Sequence, residues 1–241
     1  IASCLVGSEM CIRDRGSIVM TKFATELGLP VPVAILCGIG VTTLFGLLNG
    51  LLVTRIKLPP FIVTLGTLNI AFAITQLYSS SQTITDLPAG LTGLGTTFAI
   101  GGTEVAWGAV LMVLLYLLAW FVLRETGAGR HIYAVGNNAE ATRLVGIPTQ
   151  RVLLGVYVAA GVFYGIASLL SVARTGVGDP NAGQTENLDA ITAVVLGGTS
   201  LFGGRGIVLG SLIGVLIVGV FRNGLLSLIH ISEPTRQEAI S

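Results

Sequence analysis

The sequence predicts an all-α fold: a polytopic transmembrane helical bundle with one broken or re-entrant helix and a short cytoplasmic helix. Three observations carry this. Of the 241 residues, 52% are hydrophobic and only 10% charged, with a mean hydropathy of +0.86; a soluble domain carries roughly 25% charged residues. Uncharged runs long enough to cross a hydrocarbon core of about 30 Å recur along the chain. Glycine is abundant, at 33 residues, with no Gly-X-Y period, which excludes collagen and suits helices packed at close range in lipid. High hydrophobicity with little charge excludes a disordered chain. A net charge of +1 gives no electrostatic footprint for nucleic acid. Membrane lipid is the expected surrounding, and no nucleic-acid partner is expected.

The two ends read differently from the middle. Residues 3–15 and 227–240 resemble translated sequencing-adapter text. A signal peptide does not account for the first, because Arg13 and Arg15 follow its short apolar stretch rather than precede it. Segments 1–15 and 227–241 are therefore expected to be adapter-derived and to pack poorly against a genuine domain at 16–226. They carry Cys4, Cys11 and His230, so Cys37 and His131 remain. Three cysteines make no disulfide framework. Cys37 lies in an apolar run and reads as a small buried hydrophobe. One histidine and one cysteine cannot build a zinc site, and no metal is expected.

Val31–Val53, Phe61–Tyr78, Val105–Leu123 and Val152–Ala173 are uncharged spans. Gly206–Phe221 is shorter and extends through Arg222 to Leu226. Ala190–Gly204 is uncharged but split by Gly197-Gly198 and Gly203-Gly204. Its fifteen residues reach only about 22 Å as a helix, so an interruption at one glycine pair is expected, of the kind membranes tolerate inside protein. Orientation follows the Lys/Arg bias. Arg55 and Lys57 mark one loop as inside. Ser79–Thr103, with Asp86 and no Lys or Arg, lies outside. Arg124–Arg151, with four arginines, lies inside, and the loop of Arg174, Asp179, Glu186 and Asp189 outside. Arg205 and Arg222 leave the last two segments unoriented.

The inside loop at 129–148 encodes a short isolated helix. Asn137 can be its N-cap, with Glu140 at N3 in a capping-box-like pair. Gly146 can take the left-handed C′ conformation, and Pro148 prevents continuation. About eight residues lie between, roughly 12 Å. Ala141, Leu144 and Val145 share one face, with Glu140 and Arg143 as i,i+3 neighbours beside it. So short a helix needs tertiary support. Read from the residues alone, it is a docking element or an ordinary capped loop.

This loop resembles the cytoplasmic coupling loop of bacterial ABC-importer permeases, whose Glu-Ala-Ala…Gly signature is matched by Glu140-Ala141-Thr142 and Gly146. The chain is most similar to the monosaccharide (ribose/xylose-type) branch of the branched-chain amino acid/sugar permease family. Asn49-Gly50-Leu51-Leu52-Val53 leads to Leu58-Pro59-Pro60-Phe61-Ile62-Val63-Thr64-Leu65-Gly66, the specific stretch Asp189–Gly206 follows, and Arg222-Asn223-Gly224-Leu225 closes the match. Order and spacing agree over about residues 23–226.

The resemblance implies a partial transmembrane permease domain in the bacterial cytoplasmic membrane, with further spanning helices before Val31 and after Leu226 in the whole family pattern. It implies a dimeric pore, a periplasmic or extracellular sugar-binding protein, and a separate ABC ATPase that uses the ATP. No cofactor and no catalytic residue is expected in this chain, which has no Gly-x-x-x-x-Gly-Lys-[Ser/Thr] phosphate loop. The coupling role maps onto Asn137, Asn138, Glu140, Ala141, Arg143 and Gly146, with Asn138 weighted least. For passage of a neutral sugar, the uncharged hydrogen-bonding candidates are Asn49, Thr64, Thr67, Asn69, Thr75 and Gln76. Interhelical hydrogen bonding uses the same residue types.

The clean spans hold no Asp, Glu, Lys or Arg, which disfavours an ion-driven relay. A secondary transporter or channel for a small neutral solute is the alternative. An intramembrane enzyme would need a paired nucleophile and base, and His131 lies outside the spans. A faint internal echo, Gly40-Val41 before Asn49-Gly50-Leu51-Leu52 and Gly214-Val215 before Asn223-Gly224-Leu225-Leu226, carries no argument.

Overall fold

The computed structural model describes residues 9–79, 82–85, 87–100, 103–180, 186–200 and 203–232. Five of its helices are long and apolar enough to cross a membrane. They are α2 (Val31–Arg55), α3 (Pro60–Ser79), α5 (Trp107–Glu125), α8 (Thr149–Thr175) and α10 (Val208–Ser232). Each overlaps one of the five expected spans. Their boundaries follow local chemistry. Pro60 opens α3 where a missing N–H costs nothing. Arg55 ends α2 where its charge meets the negative end of the helix dipole.

The packed centre is built by α2, α8 and a further helix, α1 (Glu9–Thr25). Gly38, Thr42, Gly46 and Gly50 recur every fourth residue on α2 and are all buried. Gly161 and Gly165 face them from α8. The two helices run antiparallel, with Gly50 against Leu154 and Tyr157, and Gly165 against Ile39 and Thr42. Approach is set by backbone: a Cβ on Gly46 would stand 2.5 Å from the Tyr157 carbonyl oxygen, and one on Gly161 would stand 2.8 Å from that of Thr42. Small residues at this period replace the hydrophobic drive that lipid cannot supply.

Helix α1 corrects an expectation. Residues 12–15 do not pack poorly. Ile12, Asp14 and Arg15 are buried. The Arg15 Nε donates to the Ala71 carbonyl at 2.8 Å and to Thr75 Oγ1 at 3.1 Å, and its guanidinium lies 4.0 Å from the Phe45 ring centre. Ser168 Oγ donates to the Arg13 carbonyl at 2.6 Å. Charge density suggested a solvated tail. The arginine instead finds a carbonyl, a hydroxyl and an aromatic face, which lower the cost of a buried cation. At the other end, α10 runs on through Ser232 rather than stopping near Leu226. Segments 1–8 and 233–241 lie outside the described residues. Cys37 is half-buried rather than buried.

The connection between α3 and α5 is not a plain loop. It holds α4 (Ala89–Thr92), a 3₁₀ turn at Gly93–Gly95, and a hairpin of β1 (Thr97–Ile100) and β2 (Thr103–Ala106). The pairing runs from Thr97 opposite Ala106 to Ile100 opposite Thr103. Val105 therefore belongs to a strand, and the span begins at Trp107. Leu91 is fully buried, and Gly95 abuts the Ala173 carbonyl at the far end of α8.

The expected interruption is present. Helix α9 (Glu186–Leu196) stops before Gly197, and Gly198, Gly203 and Gly204 all have positive φ before α10 starts at Val208. Eleven residues reach only about 16 Å, so α9 is long enough for only about half of a hydrocarbon core of about 30 Å. It turns back on α10 through small residues: Gly197 meets Gly210, and Gly214 meets the Ala193 carbonyl. An ion pair, Arg222 to Asp189 at 3.1 Å, closes the other end. Gly210→Val should force this pair apart, at a cost of about 1–3 kcal/mol from overpacking. A fall in the apparent melting temperature of the detergent-solubilised protein checks it, and an unchanged melting temperature would contradict the packing described.

Candidate functional site

The connection between α5 and α8 folds as two helices. The sequence signals the second and conceals the first. Helix α6 (Gly127–Asn137) follows Thr126, whose Oγ1 accepts from the Gly129 N–H at 3.3 Å. Helix α7 (Ala139–Leu144) has six residues rather than about eight. Asn137 is the last residue of α6, so it does not cap α7. The cap is Asn138, whose Oδ1 accepts from the Ala141 N–H at 3.0 Å. The two adjacent asparagines are chemically equal for the task, and the end of α6 decides between them.

The end of α7 follows the sequence reading. Gly146 has φ +89°, costly for any residue with a Cβ. The Gly146 N–H bonds to Arg143 O at 3.0 Å and the Ile147 N–H to Thr142 O at 3.3 Å, the paired bonds of a Schellman stop. Arg143 donates to Glu140 at 2.7 Å, both side chains being exposed. Thr142 is buried and Val135 on α6 is 3% exposed, so the unit is anchored from beneath. Its outward face is apolar: Leu144 is 79% exposed and Val145 81%, beside exposed Ala141. Asn138→Ala should cost about 1 kcal/mol. Amide exchange at Ala141 and Thr142 should then quicken roughly fivefold, with membrane insertion unchanged.

The antiparallel α2–α8 pairing sets the end of α2, with Arg55 and Lys57, beside the start of α8, and thus on the side of α6 and α7. Arg130, His131 and Arg151 are exposed there too.

The six polar candidates within the spans are not gathered on one lining. Thr64 and Thr75 are buried on the packed face of α3, with Thr67 close to that face. Asn69 and Gln76 lie seven residues apart on another face, and Asn69 is exposed. Much of their hydrogen bonding is local: Thr67 Oγ1 donates to Val63 O at 3.0 Å, Asn69 Nδ2 to Leu65 O at 3.0 Å, and Thr75 Oγ1 to Ala71 O at 3.0 Å. Asn49 is 1% exposed, and its Oδ1 has no hydrogen-bond partner among the described residues. Sequence reasoning missed Thr42, Thr54 and Ser168, all buried polar residues, Thr42 against Gly161 and Gly165 of α8 and Ser168 against Arg13 and Gly16 of α1. Their period with the glycines was the available signal.

No cluster of three or more His, Cys, Asp or Glu that could hold a metal occurs among the described residues. Two clefts open on the hairpin of α9 and α10. One, of about 490 Å³, is bounded by Asp189, Leu196, Phe221 and Arg222. The other, of about 570 Å³, lies between α5, α6, α8 and the turn before α10, with Val122, Tyr133 and Phe163 on its walls.

The sequence profile of the family described as "Branched-chain amino acid transport system / permease component" matches residues 15–239. The chain belongs to that family. It is 46% identical over 225 residues to the fructose import permease protein FrcC of Rhizobium meliloti, covering 91% of this chain and 62% of that protein. It is 41% identical over 179 residues to the ribose import permease protein RbsC of Bacillus subtilis, covering 73% and 55%. It is 31% identical over 229 residues to the galactose/methyl galactoside import permease protein MglC of Escherichia coli, covering 93% and 67%. The chain thus spans about three-fifths of the length of the fructose permease that it matches. No solved structure matches it. With five helices long and apolar enough to span among the described residues, this permease-family chain is a multi-pass protein of the cytoplasmic membrane.

Proposed function

We propose that the chain is the membrane-spanning subunit of an ATP-driven sugar importer, and that α6 and α7 dock a separate ATPase. A single observation carries the docking reading: a capped, Schellman-terminated helix of six residues that turns Leu144 and Val145, each about four-fifths exposed, away from the body. Isolated apolar residues on a surface need no explanation. Here they sit on a helix too short to stand alone and held rigid from below. The permeases it resembles are named for fructose, ribose and galactose import, which supports a monosaccharide as cargo. The further partners of this reading are a sugar-binding protein and a second permease copy.

Asn49, Thr64, Thr67, Asn69, Thr75 and Gln76 remain the proposed pathway groups. Asn49 has the strongest support, since its buried carbonyl oxygen lacks a hydrogen-bond partner among the described residues. The proposed adapter origin of segments 1–15 and 227–241 rests on their text, and re-sequencing across Gly16 and Ser227 tests it. For function, the test is uptake of radiolabelled fructose, ribose and galactose into vesicles holding the assembled importer. ATP-dependent uptake of at least one sugar is expected. Uptake driven by an ion gradient without ATP would favour the alternative of a secondary transporter.

A further inference from the structure

The docking helices touch the turn of the broken membrane segment through backbone. A Cβ on Gly136 of α6 would stand 2.7 Å from the Gly204 nitrogen, and one on Gly204 would stand 2.7 Å from the Asn137 Cα. Beside them the Tyr133 hydroxyl donates to the Gly206 carbonyl at 3.0 Å, across 73 residues of sequence. We propose that Tyr133 and Gly136 form a mechanical joint that carries motion of the docking helices into the hairpin of α9 and α10. This rests on the reading of α6 and α7 as the ATPase-docking element.

Three features suit the contact to that role. The turn is internally fastened, with the Ser200 N–H bonded to Arg205 O at 2.9 Å and the Gly203 N–H to Ser200 O at 3.2 Å. It therefore moves as a unit. The hairpin beyond it is fastened as well, by the Gly197–Gly210 and Ala193–Gly214 approaches and by Asp189 with Arg222. A push at the turn thus reaches the whole pair. And the hairpin has room to respond, because a cleft of about 570 Å³ opens among the turn, α10, α5 and α8. Side chains at a contact absorb displacement by changing rotamer. Two backbones in van der Waals contact cannot, so displacement passes on. Tyr133 adds a bond that pulls where the glycines only push, which makes it a positioning residue for transport rather than a group that touches cargo.

The test uses a permease of the relatives' full length, assembled with its ATPase in proteoliposomes. Tyr133→Phe removes the hydrogen bond and little volume; Gly136→Ala wedges the joint. Three quantities are read: ATPase co-purification, ATP hydrolysis, and sugar taken up per ATP. Both variants should bind the ATPase and hydrolyse ATP within about twofold of the parent. Uptake per ATP should fall roughly three- to tenfold in Tyr133→Phe, the loss expected for one hydrogen bond, and further in Gly136→Ala. Unchanged uptake per ATP in Tyr133→Phe overturns the joint, and this variant decides alone if Gly136→Ala fails to insert. Loss of ATPase binding in Tyr133→Phe also overturns it, by placing Tyr133 in the docking surface. Failure of the docking reading appears elsewhere, as normal ATPase binding after substitution of Leu144 and Val145, which the joint variants do not touch.

Discussion

Leu144→Asp combined with Val145→Asp should abolish ATPase co-purification and sugar uptake while leaving the permease inserted and soluble in mild detergent. Both side chains are about four-fifths exposed, so the substitutions bury no charge in the permease and cost its fold little. On the partner's side the same change is severe. Apolar contact is lost, and two carboxylates must be desolvated at the interface without counter-charge, a penalty of several kcal/mol. Such a loss exceeds a hundredfold in affinity. Gly146→Pro should reach the same end by another route, since proline cannot adopt φ +89° and deletes the N–H bonded to Arg143. Glu140→Lys should act more weakly. Glu140 pairs only with exposed Arg143, and the N-terminal cap belongs to Asn138. Co-purification at the parental level for the Leu144/Val145 pair would move docking off α7.

The other large effect lies in the bundle. Gly161→Leu should prevent assembly of α2 against α8, because even the first carbon of the new side chain would meet the Thr42 carbonyl at 2.8 Å and the Thr43 Cα at 2.8 Å. Neither atom can move without shifting the helix. Overpacking of a single methylene costs about 1–3 kcal/mol, and leucine adds several at a backbone contact of the crossing. The expected result is rapid proteolysis or aggregation on solubilisation, with every helix still inserted. Gly155→Leu, where a Cβ meets nothing within 4 Å, is the control, and it should behave as the parent. Equal behaviour of the two variants would mean that the crossing is looser than described.

The spans were legible because length and absence of charge suffice to mark a transmembrane helix, whatever its partners. The break at Gly197-Gly198 was legible for a related reason: too few residues remain to cross. What the sequence hid depended on distant partners. Helix α6 carries Gly127, Gly129 and Gly136, which lower its helix propensity. It forms because Val135 is buried and Gly136 fits against Gly204. Arg15 looked solvent-bound because Ala71, Thr75 and Phe45 are far away in sequence. The polar candidates on α3 were grouped by residue type, although Thr64 and Asn69 stand about 140° apart on a helix of 3.6 residues per turn. That separation could have been read in advance. The orphaned oxygen of Asn49 could not, since it depends on what α2 packs against.

The local hydrogen bonds along α3 bear on how the protein is made. This helix is the least apolar of the five spans, and the elements it packs against, α1 and α2, precede it in the chain. Thr67, Asn69 and Thr75 bring their donors already paired to carbonyls one turn back. On leaving the translocation channel, α3 therefore exposes few unmet donors to lipid. Helix α3 can thus partition as a single segment, ahead of α8 and without waiting for it. Biogenesis then separates into insertion, which each helix accomplishes from its own side chains, and assembly, which the glycine crossings complete afterwards.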